Sequence, residues 1–371
     1  MKTPQELLAE RVRRIRTAVA LGKPDRVPVT LACDAFCAQH VGISIAEYIK
    51  DINKSSEYIF QSITALGEVD AVGMTQTTAY AFGGLMLADV KLPGRELPDD
   101  QPYQVDEKYL MTVEDYDTII AKGYNAFCQD YLTTRLPKAG ADFHKFMTTT
   151  DFAANTMRFV NAGILPFCSG LFVPAFDVFC SARGLSTFMK DLFKIPDKVQ
   201  AAIDVAMIDM TAALRRQIRE AQPLTVFVGF SRGASEFVSP KIWNRFTLPY
   251  VKQIVDLIID EGSVPYLHFD GNWERDLARF KELPKGKCIF GGDSATNLFK
   301  AKEVLGDHMC ILGDVPPSML TLGTADDVYA YCRKLINEIG PAGFILAAGC
   351  MVPSNAKIAN VKAMLSAVTG K

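Results

Sequence analysis

Three residues of metal-binding type stand where two apolar runs end. His268 and Asp270 close the run VPYLHFD (264–270), and Cys350 closes GFILAAGC (343–350). On a strand, residues i and i+2 project to the same side, so His268 and Asp270 can share one ion or one substrate. Cys350 belongs to a later run and meets them only if the sheet closes on itself. A nitrogen, an oxygen and a sulfur donor converging on one point suit Zn2+, with a fourth position left for substrate. The residues alone also allow a plainer reading, a histidine hydrogen-bonded within the core and a small buried cysteine. No Cys-x-x-Cys and no His-Glu-x-x-His decides between the two by spacing.

The elements that must position these side chains can be read from the apolar runs. VPVTLAC (27–33), VDAVGM (69–74), ILPFCSG (164–170), LTVFVGF (224–230), VPYLHFD (264–270), KCIFGGD (287–293), MCILGDV (309–315) and GFILAAGC (343–350) are apolar almost throughout. Such runs suit strands buried on both faces, as in a parallel sheet with helical crossovers. Helix-length segments with three-to-four periodicity lie between them, such as 198–221 and 324–340. Residues 5–22 read as an N-terminal surface helix closed by Gly22 and Pro24. A doubly wound nucleotide fold needs a glycine fingerprint after its first strand, and residues 31–40 (LACDAFCAQH) hold no glycine. The expected fold is therefore α/β, a (β/α)8 TIM barrel forming a single domain over 1–371. Residues 84–158, with Pro93, Pro98, Pro102 and Pro137, are expected to be an irregular insertion over the barrel mouth.

A barrel carries its chemistry at the C-terminal ends of its strands. Beside the first three residues, those ends present Asp34, Glu236, Asp293 and Asp314. Glu236 and Asp293 are candidate proton handlers or a fourth ligand. Glu236 equally suits a cap on the helix starting at Pro240, Asp293 an N-cap, and Asp34 a cap on the helix after the first strand. His40, His144 and His308 read as surface or core histidines.

Composition narrows the class of function. Hydrophobic residues make up 49% and charged residues 22%, which is globular rather than disordered. Forty basic residues against forty-two acidic ones, net −2, leave no field to attract nucleic acid or an anionic membrane. The N-terminus lacks the apolar core of a signal peptide, and no stretch reaches the roughly 18 apolar residues of a membrane span. The expected location is the cytoplasm. The nine cysteines, odd in number and scattered, then read as mostly buried thiols.

Longer segments carry a resemblance. GLSTFMKDLFKIP (184–196), FKAKEVLGDHMCILGDVPPSMLTLGT (299–324) and GFILAAGCMVPSNAKIANVKAM (343–364) resemble, in order, segments of the uroporphyrinogen decarboxylase superfamily. The likeness runs over roughly 160–368 and implies a (β/α)8 barrel. True decarboxylases of the superfamily carry an arginine-rich loop after the first strand and an aspartate after the second. Here those loops read LACDAFCAQH and VGMTQTTAY, with neither. The other branch, the cobamide-dependent methyltransferases, binds zinc through His-x-Cys and a C-terminal Gly-Cys-x-x-Pro. His268 and Gly349-Cys350-Met351-Val352-Pro353 match those positions, and Asp270 stands where the first cysteine would be.

The resemblance implies zinc held by His268, Asp270 and Cys350, and a corrinoid (cobalamin) partner. No Asp-x-His-x-x-Gly motif for binding cobalamin occurs in the chain, so the corrinoid is expected on a separate protein. Exchanging a thiolate for a carboxylate makes zinc harder and better suited to an ether oxygen than to a thiol. The expected activity is transfer of a methyl group from a small methylated substrate, an aryl methyl ether, to that corrinoid (the substrate component of an O-demethylase). Asp34, Phe36, Tyr80, Phe172, Phe176 and Trp273 are expected to line its pocket. The alternatives are methylcobamide-to-thiol transfer, decarboxylation of a small acid, and a non-catalytic binding protein on the same scaffold.

Overall fold

The computed structural model describes residues 2–370; Met1 and Lys371, the ends of the expected domain, lie outside the described residues. In chain order the strands begin with β1 (Thr30–Leu31), β2 (Ala71–Val72), β3 (Asp89–Lys91), β4 (Gln104–Asp106), β5 (Leu165–Pro166) and β6 (Gly170–Phe172). They continue with β7 (Thr225–Phe230), β8 (Val264–Phe269), β9 (Ile289–Gly292), β10 (Cys310–Val315) and β11 (Phe344–Ala348). Each of the eight apolar runs contains at least part of a strand. β1, β2 and β5 form one parallel sheet, and β6 to β11 form another in sequential order. β5 and β6 are two pieces of one run, so the chain itself passes from the first sheet to the second. At the other edge, Val29 bridges Leu346 of β11 in parallel, and Leu346 N donates to Pro28 O at 2.9 Å. Eight strand positions thus follow one another around a ring, as in a (β/α)8 barrel.

The apolar side chains separate as a ring requires. Tyr266, Ile289, Cys310, Leu312, Ile345 and Ala347 gather in one cluster inside the barrel. Their chain neighbours Leu267, Phe290, Ile311, Phe344 and Leu346 join a larger cluster under the outer helices. This alternation assigns every strand residue a direction. Thr30, Gly229, His268, Gly291 and Asp314 face inward.

The N-terminal helix Pro4–Val19 opens with a Thr3–Glu6 capping box and sends Ile15, Ala18 and Val19 into the inner cluster. It closes the end of the barrel opposite the strand C-termini. Arg14 is buried there against Asp70 at 2.5 Å, and Asp70 also receives Arg26 at 2.6 Å and Val29 N at 2.9 Å. A buried carboxylate with three donors is the condition under which a buried charge is tolerated.

The segment 84–158 is not irregular. It holds the antiparallel ribbon β3–β4 and the helices Val113–Lys122, Tyr124–Thr134, Pro137–Thr149 and Phe152–Val160. Its prolines do not break these elements, because Pro137 stands in the first turn of its helix, where the missing N–H costs nothing. The ribbon reaches the mouth, where Glu107, just after β4, pairs with Arg232 of the loop after β7 at 2.5 Å. The first two helices lie beside the barrel against the helix Pro196–Ala221, with Lys198 on Asp117 at 2.9 Å and Asn125 N on Asp209 at 2.9 Å. No helix among the described residues is long and apolar enough to cross a membrane.

Candidate functional site

The ring brings His268, Asp270 and Cys350 together. One potential ligand atom of each lies within 4.8 Å of those of the other two. His268 is buried, whereas the side chain of Asp270 is 46% exposed and Cys350 is open to solvent. The group therefore has a closed side and a side that a ligand can reach. Its position at the ends of β8 and β11 follows from the inward alternation of Tyr266, His268 and Asp270 along one strand.

Space for the imidazole comes from glycine. His268 is paired with Gly229 on β7 and Gly291 on β9. A Cβ at position 291 would lie 2.5 Å from the Tyr266 ring, so a larger residue there would displace it. Tyr266 Oη is 3.3 Å from His268 Nδ1, and the Phe227 ring lies 5.3 Å from the imidazole, tilted by 32°. The tautomer protonated at Nδ1 donates to Tyr266 and leaves the Nε2 lone pair free, which is how a second partner orients a metal-binding histidine.

Nε2 is a buried polar atom that makes no hydrogen bond of good geometry, although Asp270 Oδ1 is 3.2 Å away. Burial disfavours the charged imidazolium, but Asp270 and then Cys350 prevail and push the His268 pKa up to about 10. The cluster favours positive charge at this point. A buried imidazole nitrogen, a carboxylate and a thiol that converge around such a point fit a zinc ion with one open position.

Glu236 and Asp293 stand beside the cluster as supports. Glu236 Oε1 accepts from Asn272 N at 3.2 Å, and Asp293 Oδ2 accepts from Gly271 N at 2.9 Å. Both hold the loop that follows Asp270. Asp293 Oδ1 also accepts from Ala295 N at 2.9 Å, so both its oxygens are engaged. Neither caps a helix. Ser239 caps the helix at Pro240, and Asn297 caps Leu298–Leu305. Asp34 makes no cap hydrogen bond either.

The expected aromatic lining is mostly core. Phe36 and Trp273 are at most 1% exposed, and Phe172 and Phe176 are also buried. Trp273 packs against Phe269 and donates from Nε1 to Asp270 O at 2.8 Å, so it braces the site from beneath. Phe176 packs edge-on against Phe188. Tyr80 lies under Lys145 of the inserted helices, 4.2 Å from ring centroid to Nζ. Aromatic residues just after a strand are drawn to the annulus between sheet and helices as readily as to the mouth, and chain position does not separate the two.

Sequence reasoning missed three contributors. Tyr266 was available from its spacing two residues before His268. Asp177 carries no such signal. It is buried in the helix Ala175–Arg183 and accepts from Ser231 N, Ser231 Oγ and Arg232 N at 2.8–3.0 Å, fixing the loop after β7. Tyr103, beside β4, sits with its hydroxyl 3.4 Å from Thr78 Oγ1, within electrostatic range of Cys350.

Known proteins share this architecture. The chain is 26% identical over 356 residues to a protein named uroporphyrinogen decarboxylase from Trichlorobacter lovleyi, covering 91% of this chain and 94% of that one. It is 25% identical over 312 residues to a protein of the same name from Geobacter metallireducens, covering 81% of each. The match to the Syntrophotalea carbinolica protein of that name is 28% over 150 residues and spans only 41% of it. Among solved structures, a methyltransferase from Methanosarcina mazei shares the fold with a TM-score of 0.68 at 18% identity, over 99% of this chain and 98% of that one. The family model for uroporphyrinogen decarboxylase (URO-D) matches residues 145–370, more than half of the sequence, and the chain belongs to that family.

Proposed function

We propose that the protein is a zinc-dependent, corrinoid-linked methyltransferase. In this reading it moves a methyl group from a small aryl methyl ether to the cob(I)amide of a separate corrinoid protein. The observation that carries the reading is the convergence of His268, Asp270 and Cys350 at the barrel mouth. The fold shared with a protein named methyltransferase agrees with it. When bound, zinc supplies a Lewis acid that draws on the ether oxygen.

The chain's own residues do the rest. Tyr266 and Phe227 hold the His268 ring, and Glu236 and Asp293 hold the loop that carries Asp270. The half-exposed Asp270 and the exposed Cys350 face the side from which the corrinoid protein approaches. The methyl carbon–oxygen bond would break with its electron pair left on the oxygen, which later takes a proton, and the corrinoid of the partner protein would supply the nucleophile that accepts the methyl group. A polycarboxylate would need arginines to offset the acidic groups of the mouth, and residues 31–40 contain none. That favours a neutral ether over a polycarboxylate.

A second reading, decarboxylation of a small acid, rests on the names of the relatives. Metal analysis of protein purified without chelator separates the two. About one zinc per chain is expected, lost in Cys350→Ala and His268→Ala. Cob(I)alamin with 2-methoxyphenol is expected to give methylcobalamin, read by its absorbance. Absence of both zinc and methylcobalamin would overturn the first reading.

A further inference from the structure

One short bend touches both flanks of the metal cluster. It runs from Asp293 to Thr296, just after β9. On one side it holds the loop after β8. Asp293 Oδ2 accepts from Gly271 N, next to Asp270, at 2.9 Å. Thr296 Oγ1 accepts from Trp273 N at 2.9 Å and donates to Gly271 O at 3.0 Å. On the other side the bend lies against Gly349, the neighbour of Cys350. A Cβ on Gly349 would meet Ser294 Oγ at 2.5 Å and the Asp293 carbonyl carbon and oxygen at 3.1 and 3.2 Å. Only a residue without a side chain leaves room for this approach.

Two features of Ser294 have no structural reason. Its φ is +79°, in the left-handed region that suits glycine and, less well, asparagine or aspartate. Its hydroxyl oxygen is closed off from solvent and makes no hydrogen bond. It does not cap the helix that follows, because Asn297 does. Glycine would serve the bend with less strain and would bury no polar group. Strain and an unmet hydroxyl on one residue beside a reactive cluster mark a side chain kept for a bound state.

The neighbours narrow what that hydroxyl meets. Both oxygens of Asp293 are taken, one by Gly271 N and one by Ala295 N. Cys350 is one residue past the glycine that Ser294 overlies, and it is exposed at the mouth. A neutral thiol is a weak acceptor. A thiol that coordinates a metal is deprotonated, and the resulting thiolate takes a hydroxyl donor well.

We propose that Ser294 is a positioning residue, whose hydroxyl donates a hydrogen bond to the Cys350 thiolate when a metal binds at His268, Asp270 and Cys350. The inference deepens the zinc reading and rests on it. A donor on the sulfur fixes the direction of the thiolate and draws charge off the metal–sulfur bond. That strengthens the metal as a Lewis acid, in the same sense as a carboxylate at position 270 in place of a thiolate.

The test loads the full chain with Co2+ and follows the thiolate-to-cobalt absorption band, beside Zn2+ affinity measured against a chelator. Ser294→Gly removes the hydroxyl and relieves the backbone, so its unfolding midpoint is expected to equal or exceed that of the wild type. Its cobalt band is expected to move to longer wavelength, because the sulfur electrons lose the hydrogen bond that holds them. Its zinc affinity is expected to fall by about ten- to a hundredfold. Ser294→Asn tolerates the left-handed backbone and carries an amide donor, so it should restore part of both. A serine with only a structural role would move the midpoint and leave the band in place. An unchanged band and affinity in Ser294→Gly overturns the inference and spares the metal site. A wild-type chain that shows no thiolate-to-cobalt band overturns both. A shifted band in a protein that transfers no methyl group from 2-methoxyphenol to cob(I)alamin supports Ser294 and overturns the methyltransferase reading.

Discussion

Replacing Asp314 with asparagine is expected to stabilise the protein at pH 8 by clearly more than it does at pH 5. Asp314 ends β10 facing into the barrel and is 3% exposed. Its partner among neighbouring side chains is Tyr331, whose hydroxyl donates to Oδ1 at 3.2 Å. Burial drives its pKa up, Tyr331 holds it back, and the charge of Asp293 adds to the rise, leaving it at about 7 against the ordinary 3.8. Between pH 3.8 and 7 the folded chain keeps a proton that the unfolded chain has already lost. Stability therefore falls as pH rises through that window and stays lower above it. At about 1.4 kcal/mol for each tenfold difference in proton affinity, the full penalty at pH 8 is about 4 kcal/mol as an upper figure. The asparagine amide carries no charge, and its oxygen can still accept from Tyr331. Asp314→Asn should therefore recover between about 1 and 4 kcal/mol at pH 8. Urea unfolding followed by the fluorescence of the buried Trp243 and Trp273 reads the difference at each pH. An equal difference at pH 5 and pH 8 would refute the reasoning.

Three other outcomes follow from particular contacts. Gly291→Ala should destabilise the fold by about 1–3 kcal/mol and lower bound zinc, because the new Cβ meets the Tyr266 ring that orients His268; unchanged zinc and unfolding midpoint would count against that packing. Asp70→Ala takes one of three carboxylates from the buried Arg14, which keeps Glu10 and Asp25, and strips Arg26 and Val29 N of the same partner; it should cost about 1–3 kcal/mol in urea unfolding, with no measurable loss contradicting the buried network. Glu236→Ala should retain zinc while making the loop at 270–272 easier to cut in limited proteolysis, because Glu236 holds Asn272 N; zinc loss equal to that of Cys350→Ala would instead make it a ligand.

Much of the fold was legible because a parallel barrel buries its strands on both faces, and runs such as MCILGDV and GFILAAGC advertise this without alternation. Strand lengths were not legible. The run at 27–33 yields only Thr30–Leu31, and the run at 164–170 breaks into β5 and β6. The helices within 84–158 were hidden because prolines also mark breaks, although Pro137 starts a helix. In the site, the pair His268 and Asp270 was legible from a two-residue period. Glu236 and Asp293 were legible as strand-end carboxylates, but their bonds to the loop after Asp270 were not.

The sequence by itself determined what is local. It set the apolar runs, the helix starts, and the direction His268 shares with Asp270, because a strand has a fixed period of two. It also set the substitution of aspartate at the first cysteine position of the zinc motif it resembles. Tertiary structure decided everything that depends on the ring closing. That closure brings Cys350 to His268, turns Tyr103 and Tyr48 toward Asp34, and sends Phe36 and Trp273 into the core rather than the mouth. These placements are non-local. Each depends on strand order, on register such as Gly291 beside His268, and on which neighbour is small enough to make room.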